Sequence, residues 1–325
     1  MLTGGKTVKI VVLDGSTLNP GDNPWTGLEN LGELTVHERT SEAELLDRSR
    51  GAQVLVINKV RLDENVLKQL PDLKFITVTA TGHDCVNTQM ARELGISASN
   101  VPVYGTDSVA QHIFALLLHI MHRVDIHDTA VREGEWIARE DFSFWKQPLT
   151  ELTGKSIGIV GFGRIGRAVG QLAHAFGMQV LASSRSQKDR PSYSPFEWTD
   201  LDSLTQRADV ISLNCPLTDQ TNGLVNREFL SQCKSSLVLI NAGRGALVVE
   251  ADLADALNRG VIAAAGLDVV SREPIVADNP LVSAKNCFIT PHQAWATLEA
   301  RRRLMQITVE NVSAFLAGQP QNLIN

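Results

Sequence analysis

An α/β architecture with two parallel sheets is what this sequence predicts, on three observations. Short runs of aliphatic and β-branched residues alternate with stretches of helical periodicity along most of the chain. One alternation breaks at a glycine-rich turn, Gly161-Phe162-Gly163-Arg164-Ile165-Gly166, set between an apolar run and an amphipathic stretch. The length, 325 residues, exceeds one ordinary domain and suits two. Hydrophobic residues make up 43% and charged residues 20%, so both domains can bury sizeable cores. The net charge of −6 lacks the basic footprint of a nucleic-acid binder.

The first hundred residues alternate strand and helix. Val8 to Leu13 reads as a buried strand, and Asp14 to Trp25 as a loop rich in Gly, Pro and Asn. Leu34 to Val36 is a second strand. Ser41 to Ser49 is a helix, with Ser41 and Glu44 at capping-box spacing. Ala52 to Ile57 and Phe75 to Val78 are further strands, separated by a helix from Asp63 to Leu70 that Pro71 stops. A loop over 79–84 leads to a helix over Thr88 to Glu93 and a strand over Ile96 to Ser99. This pattern is that of a flavodoxin-like parallel-sheet domain.

Asn100 to Gly105 is a crossing point between domains. Thr106 to Met121 is a long helix, apolar on more than one face, and therefore buried on more than one face, in a core and against a second subunit together. Gly134 to Thr150 is irregular and carries Trp136, Phe142, Phe144 and Trp145. A surface loop this apolar is expected to be covered by a partner. The second domain then has strands at 156–160, Gln179 to Ala182, Ala208 to Leu213, Leu237 to Ile240, Ala264 to Asp268 and Asn286 to Thr290. Its helices follow the glycine turn and span Arg227 to Cys233 and Glu250 to Arg259. A last helix, Thr297 to Ala317, folds back on the first domain. The predicted domains are 1–103 completed by 293–325, and 104–292.

In the strand–turn–helix setting, each glycine has a reason. Gly161 permits the tight turn, Gly163 lets a pyrophosphate approach the backbone, and Gly166 lets the helix pack close to the strand. The same spacing could serve a ligand-free turn, but its place between strand and helix favours a dinucleotide. A carboxylate that bonds the ribose of NAD ordinarily stands about 20 residues further on. Here the second strand ends in Ser183-Ser184-Arg185-Ser186, with no carboxylate. A guanidinium flanked by serines suits the 2′-phosphate of NADP, so NADP(H) is preferred and NAD(H) remains possible.

Three further stretches follow strand ends in order: Asn241 to Gly245 with Arg244, Asp268 to Pro274 with Glu273, and Thr290 to Ala294 with His292. Ligands collect at the carboxyl ends of strands in open α/β sheets. Arg can pair with a substrate carboxylate, His can exchange a proton with a carbonyl oxygen, and Glu can orient the His. Any one of the three would more often be a solvated loop residue. The ordered set behind a dinucleotide turn carries the argument.

These residues resemble the D-isomer-specific 2-hydroxyacid dehydrogenases over nearly the whole chain. The matching text is GFGRIG, NAGRG, LDVVSREP and PHQAWAT. ATGHDCVN, NVPVYGTDSVAQHIFALLL, DFSFWKQPLTEL and PHQAWATLEARRRLM resemble the glycerate dehydrogenase (hydroxypyruvate reductase) subgroup.

The resemblance implies two Rossmann-like or flavodoxin-like domains with the active site in the cleft between them. The reaction it implies is reduction of hydroxypyruvate or glyoxylate to the D-2-hydroxy acid, and its reverse. It implies Arg244 as carboxylate binder and carbonyl polariser, Glu273 as orienting acid and His292 as proton donor and acceptor. Thr81, Gly82 and His83, with Arg244 and His292, would bind substrate. Gly161, Gly163, Arg164, Ile165, Gly166, Ser184, Arg185, Ser186, Cys215, Pro216, Thr221, Ala242, Gly243, Asp268 and Ala294 would bind the cofactor, Asp268 toward the nicotinamide carboxamide. A homodimer joined through the cofactor domains is also implied.

The alternatives are a broader 2-keto acid reductase and, outside catalysis, an NADH-sensing corepressor on the same fold. A formate- or phosphonate-oxidising relative would need a different polar set around the substrate. Cys85, Cys215, Cys233 and Cys287 lack C-x-x-C spacing, which argues against a zinc site and fits a reducing compartment. The opening MLTGGKTVKIVVLDG moves straight into a strand, without a basic start and long apolar run. No signal peptide, no membrane partner and a cytoplasmic location are expected.

Overall fold

The computed structural model describes residues 7–325; residues 1–6, on which the expectation of no signal peptide partly rests, lie outside the described residues. The chain forms two compact units, Met1–Gly105 with Ala296–Asn325, and Thr106–Trp295. The divisions fall two residues after 103 and three after 292, where Thr106 opens a helix and Trp295 ends the loop carrying His292.

The first unit holds five strands: β1 Lys9–Val12, β2 Glu33–Val36, β3 Val54–Ile57, β4 Phe75–Val78 and β5 Ser97–Ser99. They pair in parallel in the order β2-β1-β3-β4-β5, the flavodoxin-like order. Successive side chains leave opposite faces. Val11, Leu55 and Ile57 therefore enter one core, while Ile10, Val12, Val54 and Val56 enter the other. The returning helix Leu298–Leu316 covers this second face, and its Phe315 stacks on Phe75 with ring centroids 4.5 Å apart. The chain then runs past the edge of the sheet, where the Ile324 amide donates to the Ala98 carbonyl and Leu323 bridges Ser99.

The second unit holds seven parallel strands: β6 Ser156–Val160, β7 Gln179–Ser183, β8 Phe196–Trp198, β9 Val210–Leu213, β10 Val238–Asn241, β11 Ala264–Leu267 and β12 Cys287–Ile289. Their order, β12-β11-β10-β9-β6-β7-β8, reverses direction between β9 and β6. Such a switch point is where a doubly wound sheet opens a crevice at its carboxyl edge. Both faces are packed: Ile157, Ile159 and Ile240 point into one core, and Val160, Ile211 and Leu239 into the other. Helix Thr106–His122 lies in the first of these cores with Ile113, Phe114, Leu116 and Leu117 buried, which accounts for most of its apolar surface within this unit.

Several expected elements differ. The helix after Asp63 spans only Glu64–Leu67, because Gln69 and Leu70 turn back through bonds to carbonyls three residues earlier, ahead of Pro71. Helix Val124–Arg132, strand β8 and helix Leu201–Arg207 were not expected. The first starts only after Arg123 takes a left-handed backbone, φ 43°, directly behind another helix. The second is three residues long, in a proline-rich stretch whose composition reads as loop.

Candidate active site

The three glycines of the turn after β6 differ in what surrounds them. Gly161 has φ +92°, and a Cβ there would collide with the backbone of Asn214 and Cys215 at the end of β9. A Cβ on Gly166 would collide with the Gly161 carbonyl. On Gly163 it would meet nothing within 4 Å. Two glycines are required by packing and the third faces open space. Gly163 caps helix Arg164–Ala175 with no side-chain acceptor. A close-packed turn with one bare face at an uncapped helix start fits a dinucleotide pyrophosphate. Arg164 is exposed there, whereas Ile165 packs partly into the core.

The neighbouring strand ends add the rest. Ser184, Arg185 and Ser186 follow β7, next to the turn, since the Gly161 amide donates to the Ser183 carbonyl at 2.8 Å. Cys215, Pro216 and Thr221 follow β9. The Thr221 hydroxyl is engaged within that loop, donating to the Pro216 carbonyl at 2.8 Å and accepting from the Thr218 amide at 2.8 Å.

Arg244 follows β10. Its loop is fixed by Asn241, wholly buried, whose Nδ2 donates to the Arg244 carbonyl at 2.9 Å while its Oδ1 accepts the Gly243 amide at 3.0 Å. Gly245 lies so close to the backbone of Val270 and Ser271 that any side chain would collide with it. The Arg244 turn therefore sits directly against the loop that carries Glu273. The Arg244 guanidinium, exposed, donates once to the Gly243 carbonyl, leaving a fork of donors for a carboxylate.

Asp268, at the end of β11, organises the last loop. Its Oδ1 accepts the Thr290 hydroxyl at 2.7 Å and the Gln293 amide at 2.9 Å; its Oδ2 accepts the Ala294 amide at 2.8 Å. His112 Nε2 lies 3.4 Å away. Burial pushes the carboxyl up, but the bonds from His112, Thr290, Ala294 and Gln293 outweigh it and hold the group below the usual carboxylate range. The side chain has no exposed surface. The Asp268 oxygens accept from the chain's own donors, so the residue shapes the loop that carries His292.

That loop holds His292 with φ +52°, a left-handed backbone uncommon outside glycine. The strain is held by its amide, which donates to the Asp268 carbonyl at 2.8 Å. The result is an imidazole whose Nδ1 lies 2.6 Å from Glu273 Oε2, with both side chains about one-third exposed. A carboxylate on Nδ1 makes that nitrogen the donor, so Nε2 is left to exchange a proton with whatever lies beyond it.

Residues 114–294 match the family model for the NAD-binding domain of D-isomer-specific 2-hydroxyacid dehydrogenases. The chain belongs to this family. It is 48% identical over 321 residues to a hydroxypyruvate reductase of Blautia hydrogenotrophica, covering 98% of this chain and 100% of that one. It is 37% identical over 321 residues to a glycerate dehydrogenase of Methylorubrum extorquens, covering 98% and 99%. Among solved structures it is similar to an acyclic imino acid reductase in complex with NADPH and D-Arg, with TM-score 0.84, 28% identity and coverage of 98% and 100%. It is therefore a D-2-hydroxyacid dehydrogenase that takes a nicotinamide cofactor.

In the first unit of this dehydrogenase, Thr81, Gly82 and His83 follow β4. The Thr81 hydroxyl donates to the Val101 carbonyl at 2.9 Å, and Asn100 Nδ2 donates to the Thr81 carbonyl at 2.7 Å, so the loop is fixed from both sides. Two strands away, Asp14, after β1, accepts the amides of Asn58, Lys59 and Val60 at 2.8, 2.6 and 3.1 Å. Burial nevertheless raises its carboxyl above the usual range. Asp14, Asn241 and His112 escaped the sequence reading. Asn241 opens NAGRG and His112 lies in NVPVYGTDSVAQHIFALLL, but the work of all three depends on which strands become neighbours.

Proposed function

We propose that this dehydrogenase reduces hydroxypyruvate or glyoxylate to D-glycerate or glycolate, and runs the reverse oxidation, with NADPH preferred to NADH. The observation that carries the reading is the 2.6 Å contact between His292 Nδ1 and Glu273 Oε2 at the carboxyl edge of the sheet bearing the glycine turn. The nicotinamide supplies the hydride when bound. His292 would deliver a proton from Nε2 to the substrate's carbonyl oxygen in the reduction, and take it back in the oxidation. Glu273 holds the imidazole in the tautomer that allows this. Arg244 pairs with the substrate carboxylate and polarises the carbonyl. The resemblance also gives Thr81 to His83 a share in substrate binding.

Several features support the remaining assignments. Ser184, Arg185 and Ser186 replace a ribose-binding carboxylate with groups suited to a 2′-phosphate. Trp136, Ile137, Phe142 and Trp145 are 48, 89, 90 and 66% exposed, a patch that supports a homodimer. Four free cysteines support a reducing, cytoplasmic setting. No helix of the described residues is long and apolar enough to cross a membrane.

The test is a panel of 2-keto acids assayed with both cofactors. Hydroxypyruvate and glyoxylate with NADPH are expected to give the highest kcat/KM. A tenfold or greater preference for NADH, about 1.4 kcal/mol, reverses the cofactor assignment.

A further inference from the structure

Helix Arg164–Ala175 does more than start at the glycine turn. Arg167, Gly170, Gln171 and His174 stand at spacings of three, four and seven, so they share one face. That face is polar or bare in a helix whose other side is core, and it is packed by the loop that follows β7. Arg167 Nη1 donates to the Asp189 carbonyl at 2.6 Å and Nη2 to the Lys188 carbonyl at 2.8 Å. The guanidinium also lies over the Phe162 ring of the glycine turn, 5.1 Å from its centroid. One turn on, Gly170 is bare where Tyr193 lies: a Cβ there would collide with the Tyr193 hydroxyl. The Tyr193 ring stacks on His174, centroids 5.0 Å apart and 14° from parallel.

The loop so seated is Ser184 to Tyr193, and it carries Arg185, Lys188 and Arg190 against one acid, Asp189. Asp189 has φ +53°, a left-handed backbone in a non-glycine residue. Its carbonyl is the one Arg167 holds. A strained residue persists only where its surroundings over-determine it. The loop takes its shape from the helix on one side and from β8 on the other, where Arg190 Nη2 donates to the Phe196 carbonyl at 2.8 Å.

We infer that Arg167 and Gly170 are positioning residues for cofactor selection, seating the cationic loop after β7 so that Arg185 can reach a ribose 2′-phosphate. This rests on the NADPH reading above. Arg167 does not touch the phosphate. It binds two carbonyls of the loop, and a bidentate guanidinium is needed to hold both. Gly170 acts by leaving room.

The test compares wild type with Arg167→Ala, Arg167→Lys and Gly170→Ala in the full chain, measuring NADPH and NADH affinity by quenching of protein fluorescence, kcat at saturating cofactor, and thermal stability. Thermal stability shows whether Gly170→Ala, whose Cβ would also crowd the Phe162 ring, disturbs more than the loop. Arg167→Ala and Gly170→Ala are expected to weaken NADPH about tenfold or more, with NADH affinity and kcat within about twofold. Arg167→Lys should recover part of the loss. Equal weakening of both cofactors, or NADPH affinity unchanged in both alanine variants, overturns the inference and leaves the NADPH reading standing. A wild type that itself prefers NADH overturns both.

Discussion

Asp14 and Asp268 make an instructive pair. Each directly follows a strand of a parallel sheet, is largely withdrawn from water, and binds backbone amides of a neighbouring strand-end loop. Yet the carboxyl of Asp14 is raised and that of Asp268 lowered. Asp14 has three amides and the charge of Lys59 against its burial. Asp268 adds a hydroxyl and the imidazole of His112. Amides and a nearby lysine charge do not offset desolvation at the first site; side-chain hydrogen bonds tip the balance at the second. The difference follows function: the Asp268 loop must present an imidazole beside a second carboxylate, Glu273, and an ionised Asp268 keeps all its acceptors for that task.

Three measurements sharpen this contrast. The largest effect is expected from removing the group that Asp268 presents. His292→Ala should lower kcat by about 10²- to 10⁴-fold while nucleotide affinity, read by fluorescence titration, stays near wild type. Retained turnover would remove His292 from proton transfer. Next come the carboxylates themselves. Asp268→Asn turns one acceptor into a donor facing an amide, and stranding such groups costs about 1–3 kcal/mol, or roughly 5- to 150-fold. That loss should appear in kcat and in Tm together. Asp14→Asn should raise KM for the keto acid with a smaller change in kcat; equal kcat losses at the two positions would erase the distinction drawn here.

The smallest effect is in pH. Asp268, lowered from its ordinary 3.8, contributes stability that is lost as pH falls through 3.8 toward its folded value. Asp14, raised from 3.8, has the opposite sign: the native state holds its proton longer, so stability falls as pH rises from 3.8 through the folded value. Urea midpoints from about pH 3 to pH 6 should therefore show a flatter acid loss in Asp268→Asn and a steeper one in Asp14→Asn.

What the sequence made legible was local. The strand, glycine turn and helix from Ser156 onward declare themselves by spacing within one short stretch, although Gly161 packs on the distant backbone of Asn214 and Cys215. Arg244, Glu273 and His292 were readable as strand-end residues, and the 2.6 Å contact joins two of them. Asp14 was not readable, because its partners Asn58 to Val60 become neighbours only when β1 lies beside β3. The seat for the loop after β7 escaped for a related reason. Arg167, Gly170, Gln171 and His174 look like the solvated face of an amphipathic helix until Tyr193 is found on it. Helix Val124–Arg132 was missed because no cap separates it from the helix before.

The second passage of the chain into the first unit constrains the order of its birth. Residues that complete the face carrying Phe75 are translated nearly two hundred positions after β5, with the entire glycine-turn unit between them. On the ribosome the nucleotide-binding half can close its core while the half begun first still waits for Phe315. The amino-terminal half is thus the last to mature, and a chain stalled before residue 298 would expose an apolar sheet face for chaperones to hold.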